Sequence, residues 1–186
     1  CWEFNKTQGE CLEADIGVPK DHFTWAKHAI HSWLEMTSQQ KGIVLGWFRI
    51  FYVYGPRQRS ASLIPAILND LKNGKLPQIK TPKNANDYIF VDDVVEAFFL
   101  ATNNNFTSGI YNLGSGKSTS VLDVCRYAEQ IVSGSDNLTQ QLEKESELNL
   151  ADIDFWAGNQ ITKETLNWEP GTTLEDGIQK TWDYIN

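Results

Sequence analysis

Residues 43–51 form the feature that most constrains what this chain can fold into. The run is apolar almost throughout, and Arg49 is its single charged residue. Strands with one face in water alternate apolar and polar residues, whereas near-continuous apolar runs are typical of strands inside parallel sheets, which are covered on both faces. The run therefore predicts a central parallel strand, buried on both faces and packed by the helix that precedes it.

The segment before this run predicts that helix. Asp21 is suited to cap it, because its side-chain oxygen can accept a hydrogen bond from the free N–H groups of the first turn. Apolar residues then follow at helical spacing, at Phe23, Ala26, Ile30, Trp33 and Leu34. A helix that leads into a buried strand indicates an α/β fold. Residues 1–20 contain two glycines and a proline and are expected to be irregular.

The rest of the chain alternates between strands and helices in the same way. Ser120 and Asp123 form a capping pair at the start of one predicted helix. The polar residues 133–150 predict a loop or a weak helix. The further predicted elements are helices at 62–72, 94–101, 120–132 and from Thr172 or Thr173 onward, and strands at 87–91 and 110–113.

Composition limits the partners of this chain, which has 186 residues and a formal net charge of −8. A protein that binds nucleic acid needs a basic stripe, and none is present, so no nucleic-acid partner is expected. No apolar run approaches the ~20 residues that span a bilayer, so no membrane association is expected. Cys1, Cys11 and Cys125 lack metal-type spacing, and reduced thiols in a cytoplasmic protein are the simplest interpretation.

The segment Gly114-Ser115-Gly116-Lys117-Ser118-Thr119 is similar to the end of a phosphate-binding loop. That motif needs a glycine six residues before the lysine, and Tyr111 occupies the position. The segment is therefore interpreted as a glycine turn between a strand and a capped helix.

Two other polar groups are interpreted as structural. His28 and His31 are three residues apart, whereas two zinc ligands on one helix are four apart, so no metal site is expected. Asp92 and Asp93 are adjacent at the start of a predicted helix, where negative charge is favourable. Capping is therefore preferred to a pair of catalytic carboxylates.

Six segments in order carry a family resemblance. They are Phe23-Thr24-Trp25-Ala26-Lys27, Arg49-Ile50-Phe51-Tyr52-Val53-Tyr54-Gly55-Pro56-Arg57-Gln58, Ser62-Leu63-Ile64-Pro65, Asp87-Tyr88-Ile89-Phe90-Val91-Asp92-Asp93-Val94, Tyr111-Asn112-Leu113-Gly114-Ser115-Gly116 and Leu166-Asn167-Trp168-Glu169-Pro170. The series resembles the extended short-chain dehydrogenase/reductase family, the NAD-dependent nucleotide-sugar epimerases and dehydratases such as UDP-galactose 4-epimerase. The resemblance covers nearly the whole chain.

The resemblance implies a fold and a division of the chain. We expect the carboxyl-terminal part of a Rossmann-type parallel sheet together with a small α/β substrate-binding domain. Residues 1–55 would belong to the dinucleotide-binding domain, and 56–186 mainly to the substrate-binding domain, with some segments returning to the Rossmann sheet. Cys1-Trp2-Glu3-Phe4 is similar to the segment after the family's catalytic Ser or Thr, so the Gly-rich turn that cradles the dinucleotide is expected upstream.

The resemblance also implies an activity, the modification of a nucleotide-sugar by an epimerase, dehydratase or keto-reductase that uses NAD or NADP. In the family, a Tyr and a Lys four residues later act together on one helix face, the Tyr as general base and the Lys on the cofactor ribose. Lys27 matches the lysine, but Phe23 stands where the tyrosine is expected. A phenylalanine cannot accept a proton. The chain is therefore a catalyst with another base, a Tyr-to-Phe variant, or a non-catalytic relative or inactive fragment that binds a nucleotide-sugar or a partner. The spacing of Phe23 agrees equally with a core residue on the apolar face of the helix.

The remaining site residues also follow from the resemblance. Lys27, Phe51 and Tyr52 are expected to contact the cofactor. The expected substrate contacts are Tyr52, Ser62, Leu63 and Asn86. Asn86 stands where many members carry an Arg that pairs with the diphosphate, and Gly158 where an Asp is usual. Arg57 and Arg59 are either a replacement for that Arg or solvated loop residues. The resemblance further allows a homodimer in a cytoplasmic setting of polysaccharide biosynthesis.

Overall fold

The computed structural model describes residues 3–4, 8–103, 106–146 and 151–186. Cys1 and Trp2, which the resemblance places just after the catalytic Ser or Thr, lie outside these residues. The strands and helices are β1 (Gln8–Cys11), α1 (His22–Lys41), β2 (Gly46–Ile50), β3 (Tyr52–Tyr54), α2 (Leu63–Lys72), β4 (Ala85–Phe90), α3 (Val91–Asn103), β5 (Gly109–Leu113), β6 (Ser118–Ser120), α4 (Val121–Ser133), α5 (Asn137–Glu145), β7 (Asp154–Ala157), α6 (Gln160–Leu166) and α7 (Leu174–Ile185).

The strands form two hydrogen-bonded groups. Five strands make one sheet, in the order β1-β7-β4-β3, with β6 antiparallel to β4. The pair β2-β5 is parallel, and the N–H of Phe51, directly after β2, donates to Leu113 O of β5 at 2.9 Å. Every described pairing except that of β6 is parallel. The predicted α/β class with a parallel sheet is confirmed.

Three helices, α1, α4 and α7, begin at the capping residues that the sequence predicts. Asp21 accepts a hydrogen bond from Thr24 N at 2.7 Å at the start of α1. Ser120 accepts one from Asp123 N at 3.0 Å at the start of α4. Thr173 caps α7 in the same manner. These bonds satisfy N–H groups that have no partner within the helix.

The prediction for residues 43–51 is only partly right. The strand is limited to Gly46–Ile50, and Ile43 and Val44 before it are more than half exposed. Helix α1 reaches one face of β2, where the rings of His31 and Trp47 stack with centroids 4.4 Å apart. Among the described residues, however, β2 pairs with β5 alone and most of it is half-buried. An apolar run shows a preference for burial, but not whether a neighbouring strand covers both edges.

The apolar side chains of α1 also depart from the prediction. Phe23, Ile30 and Trp33 are between 53% and 65% exposed, although their spacing places them on a helix. The buried residues of α1 are instead Thr24 and Ser38. Helical periodicity identifies side chains that share a face, but it does not show that the face is covered.

Several elements were not predicted. Strand β1 lies within the segment 1–20 that was expected to be irregular, and it pairs in parallel with β7, far away in sequence. Strands β6 and β7 and helix α6 were also missed. By contrast, residues 137–145 form α5, which agrees with the weak helix, one of the two alternatives predicted for residues 133–150. The buried carboxylate of Glu129 on α4 accepts hydrogen bonds from the N–H groups of Leu138 and Thr139, which steadies the first turn of α5.

The largest part of the core lies where α2, α4 and α7 pack together beside β3 and β4. Its fully buried side chains include Ile67, Leu68, Val124 and Ile178. No helix in the described part of the chain is long and apolar enough to cross a membrane.

Candidate substrate and cofactor site

The site is built around the point where β2 ends and β3 begins. Phe51 separates the two strands and is 3% exposed. Its ring lies 5.9 Å from that of Phe4 and 6.1 Å from that of Phe155. Tyr52 follows as the first residue of β3, in register with Tyr88 of β4. In parallel α/β sheets, ligands bind beyond the carboxyl ends of strands, and Phe51 and Tyr52 occupy that position relative to β2.

A cavity of about 270 Å³ lies beside this junction. It brings together all four residues that the sequence predicts as substrate contacts, which are Tyr52, Ser62, Leu63 and Asn86. Ser62 begins α2 without a hydrogen bond from its own side chain to that helix. The other lining residues are Val53, Tyr54, Gln58, Ile64 and Tyr88. The end of the β2–β3 segment, the start of α2 and strand β4 therefore line the same cavity.

The predicted catalytic pair lies on α1, and neither of its residues lines this cavity. Lys27 Nζ lies 4.5 Å from the centroid of the Phe23 ring, so the two side chains share one helix face. Phe23 is 65% exposed, which contradicts the interpretation of Phe23 as a core residue. The position would accept a hydroxyl without burying it.

The tyrosines of the cavity are poor substitutes for the missing base. Burial raises the pKa of Tyr52, and the Tyr88 hydroxyl raises it further. Burial likewise raises the pKa of Tyr88 to about 12. Burial also raises the pKa of Tyr54, and the carboxylates of Asp93 and Asp176 raise it further. All three phenols are therefore protonated at neutral pH and cannot serve as bases there.

Asn86 and Gln58 are the two side-chain amides that line the cavity. Asn86 Nδ2 donates to the Tyr88 hydroxyl at 3.4 Å, and Gln58 Nε2 donates to Val53 O at 3.2 Å. The amide oxygens of both residues are buried and have no donor in the described part of the chain. Sequence reasoning assigned no role to Gln58, although it ends one of the segments that carry the resemblance. Arg57 and Arg59, on either side of it, are exposed.

The glycine turn after β5 binds a carboxylate of the protein itself. Asp87, which is fully buried, accepts hydrogen bonds from Ser115 N at 2.6 Å and from Gly116 N and Ala157 N at 3.0 Å. A Cβ on Gly114 would lie 2.5 Å from Asp87 Oδ2, so only glycine fits there. The predicted glycine turn is therefore present, and its N–H groups bind Asp87.

Asp92 and Asp93 do not form a catalytic pair. Asp92 is exposed, whereas Asp93 is 4% exposed. The Asp93 carboxylate accepts hydrogen bonds from Gly171 N at 3.0 Å and Thr172 N at 3.2 Å. It therefore holds the loop before α7, whose own cap is Thr173, and the capping expected of this carboxylate is not seen among the described residues.

The late segment 155–158 lies in and just after β7. A Cβ on Gly158 would lie 2.8 Å from Leu12 Cδ2 and 3.1 Å from Glu10 Oε1. The aspartate that is usual at this position would have to displace Leu12 and would approach a second carboxylate. The packing around this position therefore explains why a glycine stands where an aspartate is usual.

The side chain of Lys27 is open to solvent. Its ammonium group lies over the Phe23 ring without a salt bridge in the described part of the chain. A ligand hydroxyl can therefore approach it. Phe51, which is expected to contact the cofactor, is only 3% exposed, and its ring lies near those of Phe4 and Phe155.

Comparison with known proteins gives a consistent pattern. The model of the NAD dependent epimerase/dehydratase family matches residues 5–114. The UDP-glucose 4-epimerase of Mycolicibacterium smegmatis is 29% identical over 137 residues, which cover 72% of this chain and 42% of that protein. A trifunctional UDP-glucose 4,6-dehydratase/UDP-4-keto-6-deoxy-D-glucose 3,5-epimerase/UDP-4-keto-L-rhamnose-reductase of Arabidopsis thaliana is 29% identical over 133 residues, covering 71% of this chain and 20% of that protein. The chain spans less than half the length of these curated relatives.

Solved structures show the same similarity. The UDP-glucose 4-epimerase of Thermotoga maritima, solved with UDP-glucose, has a TM-score of 0.80 and 25% identity, covering 98% of this chain and 59% of that chain. The dTDP-glucose 4,6-dehydratase of Bacillus anthracis, in complex with NAD, has a TM-score of 0.78 and 18% identity, covering 99% of this chain and 58% of that chain. At that lower identity the likeness shows a shared fold.

Proposed function

Because the chain belongs to the NAD-dependent epimerase/dehydratase family, we propose that the protein containing it modifies a nucleotide-sugar with NAD or NADP. The reaction is that of an epimerase, a dehydratase or a keto-reductase. The observation that carries the proposal is the convergence of Tyr52, Ser62, Leu63 and Asn86 on one cavity. These residues come from three separate segments, and the family resemblance assigns all of them to the substrate.

In this proposal the chain supplies binding and orientation. Lys27 donates hydrogen bonds from its ammonium group to the cofactor ribose, and the junction after β2 faces the cofactor with Tyr52, while the buried Phe51 supports it. NAD or NADP, when bound, supplies the acceptor and donor of hydride. The cavity holds the substrate at the opposite side of Tyr52. Phe23 cannot move a proton, and the phenols in the cavity keep theirs at neutral pH.

The second candidate is a non-catalytic relative that binds a nucleotide-sugar or a protein partner. Phe23 is the observation that favours it, because the hydroxyl needed for general base catalysis is absent from an otherwise suitable exposed position. The two candidates share the binding cavity and differ in turnover.

We extend the proposal to the organisation of the complete protein. Residues 1–55 belong to the dinucleotide-binding domain, and 56–186 belong mainly to the substrate-binding domain. The protein acts in the cytoplasm as a homodimer. Sedimentation of the complete protein tests the dimer, since a single species with the mass of one chain would contradict it.

Calorimetry of the complete protein tests the binding step. It is titrated with UDP-, dTDP-, CDP-, ADP- and GDP-sugars after saturation with NAD or NADP. We expect one group of nucleotide-sugars to bind, and Ser62→Trp, which fills the cavity, to abolish that binding. Ser133→Trp, on the exposed end of α4, is the matched control. Absence of binding by every ligand would contradict both candidates that rely on a nucleotide-sugar.

A further inference from the structure

Arg49 is a buried cation on β2. It is only 5% exposed. Its Nε donates to Glu3 Oε2 at 3.1 Å, and its Nη1 donates to the carbonyl oxygens of Glu13 at 3.3 Å and Asp15 at 3.0 Å. The guanidinium also lies 4.7 Å from the centroid of the Phe4 ring. One side chain therefore binds two segments that precede α1 to the strand that leads to the candidate site.

The Glu3 carboxylate extends this network to α1. Glu3 Oε2, which accepts from Arg49, also accepts a hydrogen bond from Trp47 Nε1 at 3.3 Å. The Trp47 ring in turn stacks on that of His31, with centroids 4.4 Å apart. His31 follows Lys27 by four residues on α1, and residues four apart share a helix face. The network thus reaches the face of α1 that carries Lys27.

A second route leads from Arg49 to the start of α1. The two backbone carbonyls that Arg49 holds belong to the loop between β1 and α1. Farther along this loop, Val18 N donates to Glu3 O at 2.9 Å. A Cβ on Gly17 would lie 3.3 Å from the same oxygen, so the loop passes closely over the Glu3 backbone. The loop that determines where α1 begins is therefore fixed to β2.

The burial of the Arg49–Glu3 ion pair does not by itself explain this network. Both charges lose their hydration on burial, and replacing such a pair by apolar residues is often neutral or stabilising. A planar guanidinium, however, donates in several fixed directions, which suits it to hold three groups in one geometry. Strand β2, which carries Arg49, ends at Ile50, two residues before Tyr52. Arg49 therefore couples the position of α1 to that of the junction after β2.

We propose that Arg49 is a positioning residue for cofactor binding, which acts by holding Lys27 of α1 at a fixed position relative to Tyr52. Loss of the guanidinium leaves Lys27 present but misplaced. The inference rests on the proposed function, because it takes Lys27 to bind the cofactor ribose.

A double-mutant cycle in the complete protein tests this role. Arg49→Lys keeps a positive charge beside Glu3 but replaces the planar fork by a single ammonium group. We expect it to raise the Kd of NAD or NADP about tenfold, the effect of losing one hydrogen bond to the ligand. In a Lys27→Met background, Arg49→Lys should change Kd by less than about twofold, because the group that it positions is already absent. Calorimetry well below the melting temperature measures each Kd.

Arg126→Lys is the matched control. Arg126 on α4 also forms ion pairs, with Asp123 and Glu143, but its side chain is 35% exposed and these partners lie on α4 and α5. The same change of side chain there should leave the Kd of the cofactor as it is, with and without Lys27.

Glu3→Gln decides the question if the Arg49→Lys protein does not fold. It keeps the size of the side chain and removes the negative charge that pairs with Arg49. Charge-assisted hydrogen bonds are roughly twice as strong as neutral ones, so we expect a smaller rise in the Kd of the cofactor, of about threefold. This rise should again disappear in the Lys27→Met background.

Two results would overturn the inference while the proposed function stands. One is a lower melting temperature with an unchanged Kd of the cofactor, which would make Arg49 merely structural. The other is an equal rise in Kd with and without Lys27, because the effect would then not pass through that residue. If the unmodified protein binds neither NAD nor NADP, the proposed function itself fails, and the inference with it.

Discussion

Asp87 receives two hydrogen bonds from Ser115 on a single carboxylate oxygen, one from the backbone N–H and one from the hydroxyl, both at 2.6 Å. The turn that resembles a phosphate-binding loop is thus closed around an anion that belongs to the protein. Asp87 lies on β4, close to Asn86 and Tyr88 of the cavity, so the turn fixes the strand that carries part of the candidate site.

Asp87→Asn should therefore destabilise the protein. The amide keeps one acceptor but points its NH₂ group at backbone N–H donors, and we expect a loss of about 1.5–3 kcal/mol in the free energy of unfolding. Chemical denaturation measures the loss. The control is Asp183→Asn, at an exposed position on α7, which should change stability by less than about 0.5 kcal/mol. Equal effects of the two substitutions would contradict the role assigned to Asp87.

Gly114→Ala tests the close approach in the same turn. The added Cβ would lie 2.5 Å from both Ala157 Cβ and Asp87 Oδ2, and such overpacking costs roughly 1–3 kcal/mol. Gly109→Ala on β5 is the control, because the nearest atom to its Cβ would lie at an ordinary 3.5 Å. Thermal unfolding should show a lower melting temperature for the first variant only. A Gly114→Ala protein as stable as the control would show that the turn can move aside.

Glu129 should make stability depend on acid pH. Burial alone would raise the pKa of Glu129, but hydrogen bonds from Leu138, Thr139 and Ser135 outweigh it and hold the pKa below its ordinary value of 4.5. A lowered pKa in the folded state stabilises the protein above pH 4.5, and this contribution is lost as the pH falls through the folded value. Glu129→Gln should thus cost about 1.5–3 kcal/mol at pH 7.

The difference between the two proteins should shrink below pH 4.5, where the wild-type carboxylate begins to protonate. Denaturation at a series of pH values checks this, and Glu143→Gln, at an exposed position on α5, is a control that should show a much smaller difference. A difference that stays constant down to strongly acid pH would rule out the ionised form of Glu129 as its source.

Phe23→Tyr restores the hydroxyl that the family resemblance places above Lys27. If the protein is a nucleotide-sugar enzyme, turnover should rise by about 10²–10⁴-fold, the usual contribution of general acid–base catalysis. The melting temperature should stay the same, because Phe23 is exposed and the hydroxyl reaches water. Assays of the complete protein with a panel of nucleotide-sugars measure the gain.

Phe99→Tyr on α3 is the control for this substitution, because Phe99 is also 65% exposed. It should leave turnover unchanged. If Phe23→Tyr gives no gain on any nucleotide-sugar, the non-catalytic relative becomes the better description of the protein.

Local sequence signals were enough to place several helices. Asp21, Ser120 and Thr173 each accept the capping hydrogen bond that their residue type predicts, because the donor is only three residues away. The strand Gln8–Cys11 has no such signal, and it exists because its backbone pairs with Asp154–Ala157. Pairing over that sequence distance leaves no periodic pattern in either segment.

In the candidate site, too, some features could be predicted from the sequence and others could not. The family resemblance named Tyr52, Ser62, Leu63 and Asn86, and the fold brings them to one cavity. It did not single out Gln58, which also lines the cavity and whose amide oxygen is buried without a donor among the described residues. Residue type and spacing cannot report an unpaired atom.

A crystal structure of the complete protein with its tightest-binding nucleotide-sugar tests the central claim most directly. We predict density for the ligand in the cavity lined by Tyr52, Ser62, Leu63 and Asn86. A nucleotide-sugar bound elsewhere on the protein, with this cavity empty or holding only water, would contradict the account.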